Sequence, residues 1–273
     1  MSGFAGALTG FFSLLLRPFE NGQAFAGIIF ISVLTGAVML FLFKVTSNQV
    51  AMKVVKTKIS AYFLEMRLYK DDVAAVVGSQ KRILRANLGY MRLALLPAVV
   101  MIVPVLLIMA QLNLRYAYVG LEPGQTVSVK VRLEPGSDVI REGMTLTAGE
   151  GVEKASPAVR IQSLEEIDWK IRIEKPGVHD FELSSSAGRM LLPVFGGKRL
   201  VPIYATFKKA SLWEGLLSPG APAVPASLPV QSVEIKYPSR AFGFGLFELS
   251  WLWTFLVVSM AFGVVLKFVF KVE

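Results

Sequence analysis

The sequence predicts a multi-spanning membrane protein, with a three-helix transmembrane core, a cytoplasmic helical hairpin, and a periplasmic all-β, sandwich-like domain inserted between the second and third spans. Three observations carry this reading. Residues 22–43, 93–114 and 249–266 hold no charged side chain, and each is close to the ~20 residues that cross a ~30 Å hydrocarbon core as a helix. Residues 44–92 carry ten Lys and Arg against three acidic residues. Residues 115–245 alternate apolar and polar side chains in short runs separated by Pro-Gly and Gly-rich turns, the pattern of half-buried strands.

Composition agrees. The chain is 53% hydrophobic, with a mean hydropathy of +0.54, more than a water-soluble core of this size requires. The absence of cysteine excludes disulfides, zinc-thiolate sites and Cys nucleophiles. His179 is the only histidine, and without a spaced partner it gives no metal-site pattern. No P-loop, dinucleotide fingerprint, Gly-x-Ser-x-Gly elbow or His-Glu-x-x-His occurs. The expectation is therefore a non-enzymatic protein with no catalytic residue, cofactor or metal.

In residues 1–20, Phe4, Leu8, Phe11, Phe12 and Leu15 recur at helical spacing beside Gly6, Thr9, Gly10 and Ser13, which suggests an amphipathic helix lying in the membrane interface. No basic residue precedes Arg17, unlike a cleaved signal peptide, so this segment is expected to be retained. The first span follows at 22–43. The basic loop 44–92 is placed in the cytoplasm by the positive-inside rule. Three spans then put the N-terminus and residues 115–245 in the periplasm and the tail 267–273, with Lys267 and Lys271, in the cytoplasm of an inner-membrane protein. The net charge of +9 thus reflects topology, and no DNA binding is expected.

Within the loop, Met52, Val55, Ile59, Phe63, Met66 and Leu68 recur near 3.6-residue spacing. Asp71 and Asp72 open a second helical stretch over 73–90, whose Val76, Val77, Ile83, Leu84 and Leu88 can pack back as a coiled-coil-like hairpin. The second span is 93–114. Beyond it, β-rich runs fall at 126–133, 169–173, 180–183, 201–207 and 230–236, with Trp169, Ile171 and Ile173 as candidate core. Roughly seven strands favour a sandwich. Pro219, Pro222, Pro225 and Pro229 make 218–229 an extended loop or spacer. Glu165, Glu166 and Asp168 read as a solvated turn, with calcium binding or acid–base work as the alternatives. The third span is 249–266.

Polar side chains inside the spans are the candidate site. Ser32, Thr35, Gln111, Thr254 and Ser259, with Lys44 at the inner edge, must face a helix partner or a wet cavity. One reading is close packing with Gly36, Ala37, Ala261 and Gly263; the other is a shallow hydrophilic groove among three helices, open to the cytoplasm. In the hairpin, Lys53, Lys56, Lys58, Arg67, Lys81, Arg82 and Arg85 are the candidate contact residues.

The order of parts resembles the Oxa/YidC-type membrane insertase superfamily. The stretch 41–49 (FLFKVTSNQ) followed by a basic amphipathic helix looks like the end of that family's first core helix and the start of its hairpin. Asn87-Leu88-Gly89-Tyr90, followed by the Pro-containing run 96–112, is similar to its return into the second. The resemblance covers roughly residues 5–112 and the third span, and lies in arrangement more than in letters. It implies a groove that receives the polar flank of a substrate segment, and a hairpin that meets nascent membrane proteins, the ribosome or anionic headgroups of the lipid bilayer. The chain departs from the family in having no arginine in its first span and in placing its β-domain after the second.

Two functions follow. The first is a membrane protein insertase or chaperone-like factor using the groove. The alternative is a membrane-anchored envelope assembly protein whose β-domain binds a periplasmic protein partner, with a patch around Trp213, Leu216 and Leu217.

Overall fold

The computed structural model describes residues 2–136, 143–211, 214–215, 218–244 and 247–270. Three helices in it are long and apolar enough to cross a membrane, and a β-sheet-rich region lies between the second and third of them. The chain divides into two compact units, Met1–Ile28 with Leu107–Leu252, and Ile29–Leu106 with Trp253–Glu273.

The helices are α1 (Ser2–Leu16), α2 (Ala24–Thr46), α3 (Gln49–Leu68), α4 (Val73–Tyr116) and α5 (Trp251–Phe270). Asn48 caps α3 by accepting from the Ala51 N–H at 3.0 Å, and Asp72 caps α4 by accepting from Ala75 at 3.1 Å; these are the preferred N-cap chemistries. The stretches expected at 73–90 and 93–114 are one unbroken helix of 44 residues. Nothing between Tyr90 and Leu93 breaks it, and it also contains Pro97 and Pro104.

In the second unit, α3 and α4 pair through Arg82. Its guanidinium donates to Glu65 at 3.0 Å and lies 5.5 Å from the centre of the Tyr62 ring. The expected seam holds in part: Met52, Val55, Ile59 and Met66 of α3 and Val76 and Ile83 of α4 are buried or half-buried. Tyr62, half-buried, takes the place expected for Phe63, which is exposed along with Leu68; on α4, Ser79 is buried while Val77, Leu84 and Leu88 are exposed. Adjacent residues differ by about 100° around a helix, so a run with apolar side chains at neighbouring positions leaves the facing stripe ambiguous.

In the first unit, eleven strands are described. They are β1 (Thr126–Leu133), β2 (Thr145–Ala148), β3 (Val152–Lys154), β4 (Val159–Ile161), β5 (Glu166–Ile173), β6 (Gly177–Ser185), β7 (Gly188–Gly196), β8 (Thr206–Lys208), β9 (Val230–Ile235), β10 (Ala241–Phe244) and β11 (Phe247–Ser250). A six-stranded sheet runs β3-β5-β1-β9-β8, with β4 also on β5, and a three-stranded sheet runs β2-β6-β7. Val129, Val131, Trp169 and Ile171 from the larger sheet and Phe181, Leu183, Leu192 and Val194 from the smaller belong to one buried cluster. Alternation along β1, with Val127, Val129, Val131 and Leu133 buried, is what a sheet wet on one face requires. Gly124 (φ 86°) follows Pro123 in the turn before β1, where the left-handed backbone suits glycine.

Two expectations about this region change, and one element is new. The run 201–207 becomes a strand only at 206–208; Ile203 and Ala205 are buried, but their backbone serves as a connection, with the Ile203 N–H donating to the Leu114 carbonyl at 2.7 Å. The Pro-rich stretch is a loop, as expected, but a packed one and no free spacer: Val224 and Leu228 sit in the core, and the Val224 N–H donates to the Lys208 carbonyl at 3.0 Å. The β10–β11 hairpin leads directly into α5 and was not read from the sequence. Trp213, Leu216 and Leu217 lie outside the described residues.

Candidate functional site

The second unit contains a cleft of about 410 Å³ between α2 and α5, floored by Met101 and Val105 of α4. Helices α2 and α5 run parallel, since Gly36 faces Ser259 while, about two turns further along α2 and three along α5, the Lys44 ammonium donates to the Phe270 carbonyl at 3.2 Å. Glycine at 36 permits this approach, which small residues favour between apolar helices. The lining is mainly apolar. Met39, Met101 and Met260 contribute flexible thioethers, and the polar side chains are Thr35, Ser259 and Lys267. The Ser259 hydroxyl donates to the Leu256 carbonyl one turn back at 3.1 Å, as serines in apolar helices do.

The structure therefore brings together only part of the expected site. Thr35 and Ser259 share the cleft, and Lys267, which the sequence reading placed in the tail, lines its end. Ser32 and Thr254 are fully buried and do not line it. Lys44 is engaged with the end of α5. The cleft that Thr35 and Ser259 line is mainly apolar with a few polar points.

Gln111 belongs to a different assembly, in the first unit. Its amide donates to the Thr9 hydroxyl at 3.0 Å, and its side-chain oxygen accepts from Arg115 at 2.7 Å. Arg115, 1% exposed, also donates to the Gln111 carbonyl (3.2 Å), the Thr9 carbonyl (3.0 Å) and the Ser13 hydroxyl (2.8 Å). The guanidinium is satisfied by neutral oxygens, and it ties α1 to the end of α4. Phe12 and Leu16 of α1 are buried while Phe11 and Leu14 are exposed. The sequence signal was there in Thr9, Ser13 and Gln111, but the partner that joins them, Arg115, is the first residue of the expected β-domain 115–245.

On the hairpin, Lys53, Lys56, Lys58, Arg67, Lys81 and Arg85 are exposed. Arg82, also exposed, is held by Glu65 and Tyr62. Alongside Lys81 and Arg85, α4 exposes Val73, Val77, Leu84, Leu88 and Met91 at helical spacing.

The acidic cluster is not a solvated turn. Glu166 and Asp168 lie on β5, where Glu166 accepts from Arg132 at 2.7 Å and both carboxylates pair with Lys130 at 3.7 Å. The hydrogen bond from Arg132 holds the Glu166 carboxyl below its ordinary range, against the opposite effect of desolvation. Among the described residues no group of three His, Asp or Glu is placed to hold a metal ion.

No protein-family model and no curated protein matches the chain.

Proposed function

We propose that this chain is a membrane protein insertase or chaperone-like factor of the Oxa/YidC type, resident in the inner membrane with its hairpin in the cytoplasm and its β-rich region in the periplasm. The observation that carries the reading is the Met-lined cleft between α2 and α5. Methionine is flexible and polarizable, and surfaces rich in it accept apolar partners of varied shape. Thr35 and Ser259 offer hydroxyls to a polar atom of an entering segment, and Lys267 offers a cation at the end of the cleft. The exposed basic and apolar side chains of the hairpin suit a first encounter with a nascent chain or the ribosome.

The test is reconstitution. Proteoliposomes containing the full chain should increase the fraction of a newly synthesised single-span protein that becomes protease-protected, and Met101→Asp, which puts a charge in the cleft, should remove the increase. Equal protection with and without the protein would overturn the reading. A stable complex with one envelope protein through the β-rich region, with no insertion activity, would establish the alternative of an assembly or binding protein.

A further inference from the structure

Both connections of the β-rich region leave the same end of the six-stranded sheet. β1 starts shortly after α4 ends, and the segment after β9 runs back along the exit of α4, with the Val119 N–H donating to the Pro238 carbonyl at 2.9 Å and Tyr118 bridging to Ser239. At that end lies an open shelf of about 480 Å³ lined by Gln125, Thr126, Ser128, Lys170, Lys236 and Pro238 among others. A neighbouring cleft of about 450 Å³ shares Gln125 and Pro238 and continues to Val119 and Gly120, beside the end of α4.

The register places the shelf's charges. Ser128 is paired with Lys170 on β5, and on its other side its carbonyl accepts from the Lys236 N–H at 3.0 Å. With strands ~4.8 Å apart, the two lysines stand ~10 Å apart with a hydroxyl between them. On the same face, Lys130 is neutralised by Glu166 and Asp168, Arg132 by Glu166, and Arg172 by Glu153. Lys170 and Lys236 are exposed, and among the described residues neither has a carboxylate within ion-pair distance. Gln125 accepts from the Glu122 N–H through its oxygen at 2.9 Å, which leaves its amide to donate. Two ammonium groups, two hydroxyls and an amide at one shelf form a donor set for a phosphate.

We propose that this shelf binds the phosphodiester headgroup of an anionic phospholipid in the leaflet adjoining the β-rich region. A lipid is favoured because the chain runs from this end of the sheet to both α4 and α5, two helices long and apolar enough to cross a membrane. The bound headgroup would fix that end of the sheet to the bilayer surface. This inference needs α4 and α5 to cross the bilayer, and it is independent of whether the cleft inserts proteins.

The experiment is native mass spectrometry of the full chain in neutral detergent, titrated with short-chain phosphatidylglycerol or phosphatidylcholine. The wild type should prefer phosphatidylglycerol. Lys170→Gln with Lys236→Gln should weaken that binding by about 10–30-fold, as loss of two lysines facing an anionic surface implies. Lys170→Arg with Lys236→Arg should retain it, and Lys198→Gln with Lys208→Gln should leave it unchanged. Unchanged binding by the double Gln variant would overturn the proposal. So would displacement of the lipid by inorganic phosphate at equal concentration, which would mark a free-anion shelf.

Discussion

Gly36 on α2 packs so closely on α5 that a Cβ built on it would stand 2.9 Å from the Ser259 carbonyl oxygen. That contact sets the separation of the two helices that wall the cleft. A carbonyl within a helix cannot swing aside as a side-chain end can, so any added methyl must part the helices.

Gly36→Ala should therefore lower the melting temperature of the protein in detergent, and Gly36→Val should lower it further, by about 1–3 kcal/mol of overpacking. Circular dichroism during heating measures both. Equal stability of Gly36→Val and the wild type would show that α2 and α5 do not approach as described.

Arg115→Ala should detach α1. The change strips hydrogen bonds from Gln111, Thr9 and Ser13, at about 1–3 kcal/mol for each buried group left unsatisfied. Hydrogen exchange over residues 2–16 should become at least ~10-fold faster, while β1 and β5 keep their protection. Unchanged exchange in α1 would mean that its apolar contacts, through Phe12 and Leu16, hold it alone.

How far the fold could be read ahead depended on the period of each segment. Uncharged runs of about 20 residues located α2, α4 and α5, the helices long and apolar enough to cross a membrane, and the alternation of Val127, Val129, Val131 and Leu133 located β1. The limits appear where two signals overlap. Val76 and Val77, or Tyr62 and Phe63, are adjacent apolar pairs, and the sequence cannot say which member faces the partner helix. Ser32, Thr254 and Gln111 carry the same polar signal as Thr35 and Ser259, yet only the last two line the cleft; which face of a span meets which neighbour is a tertiary fact. Prolines made 218–229 look like an extended loop or spacer; it is a loop, but Val224 and Leu228 are core residues. The shelf of Lys170 and Lys236 was invisible because it depends on the register of three strands distant in sequence.

Acid should weaken the β-rich region through Glu166. Its carboxyl is held below the ordinary range by Arg132 first and Lys130 next, so the unfolded chain binds its proton more readily. The stabilisation is present above the unfolded carboxylate value, ~4.3, and is lost as pH falls through the lower folded value. Thermal unfolding of wild type and Glu166→Gln between pH 3 and 7 should converge at the acid end and separate near neutrality. A constant difference across that range would contradict this account.

Tyr237 joins the two sheets. It follows β9 in the larger sheet, and its hydroxyl accepts from the Phe195 N–H of β7 in the smaller one at 3.0 Å. Burial pushes its phenol up to about 12, so the hydroxyl stays neutral at any working pH. Tyr237→Phe leaves the Phe195 N–H without an acceptor in the core and should cost about 1–3 kcal/mol, seen as a lower denaturation midpoint by tryptophan fluorescence. A midpoint equal to that of the wild type would mean that the bond joining the sheets is dispensable.

The central claim is that the cleft receives apolar segments of other proteins in transit. It is tested most directly by photo-crosslinking in the native membrane, with a probe replacing Ser259 or Thr35 in the cleft, Val257 on the exposed face of α5, or Leu191 on β7. The account predicts short-lived adducts with many newly made membrane proteins from Ser259 and Thr35, and few from Val257 and Leu191. Adducts confined to Leu191, and to one stable protein, would contradict it.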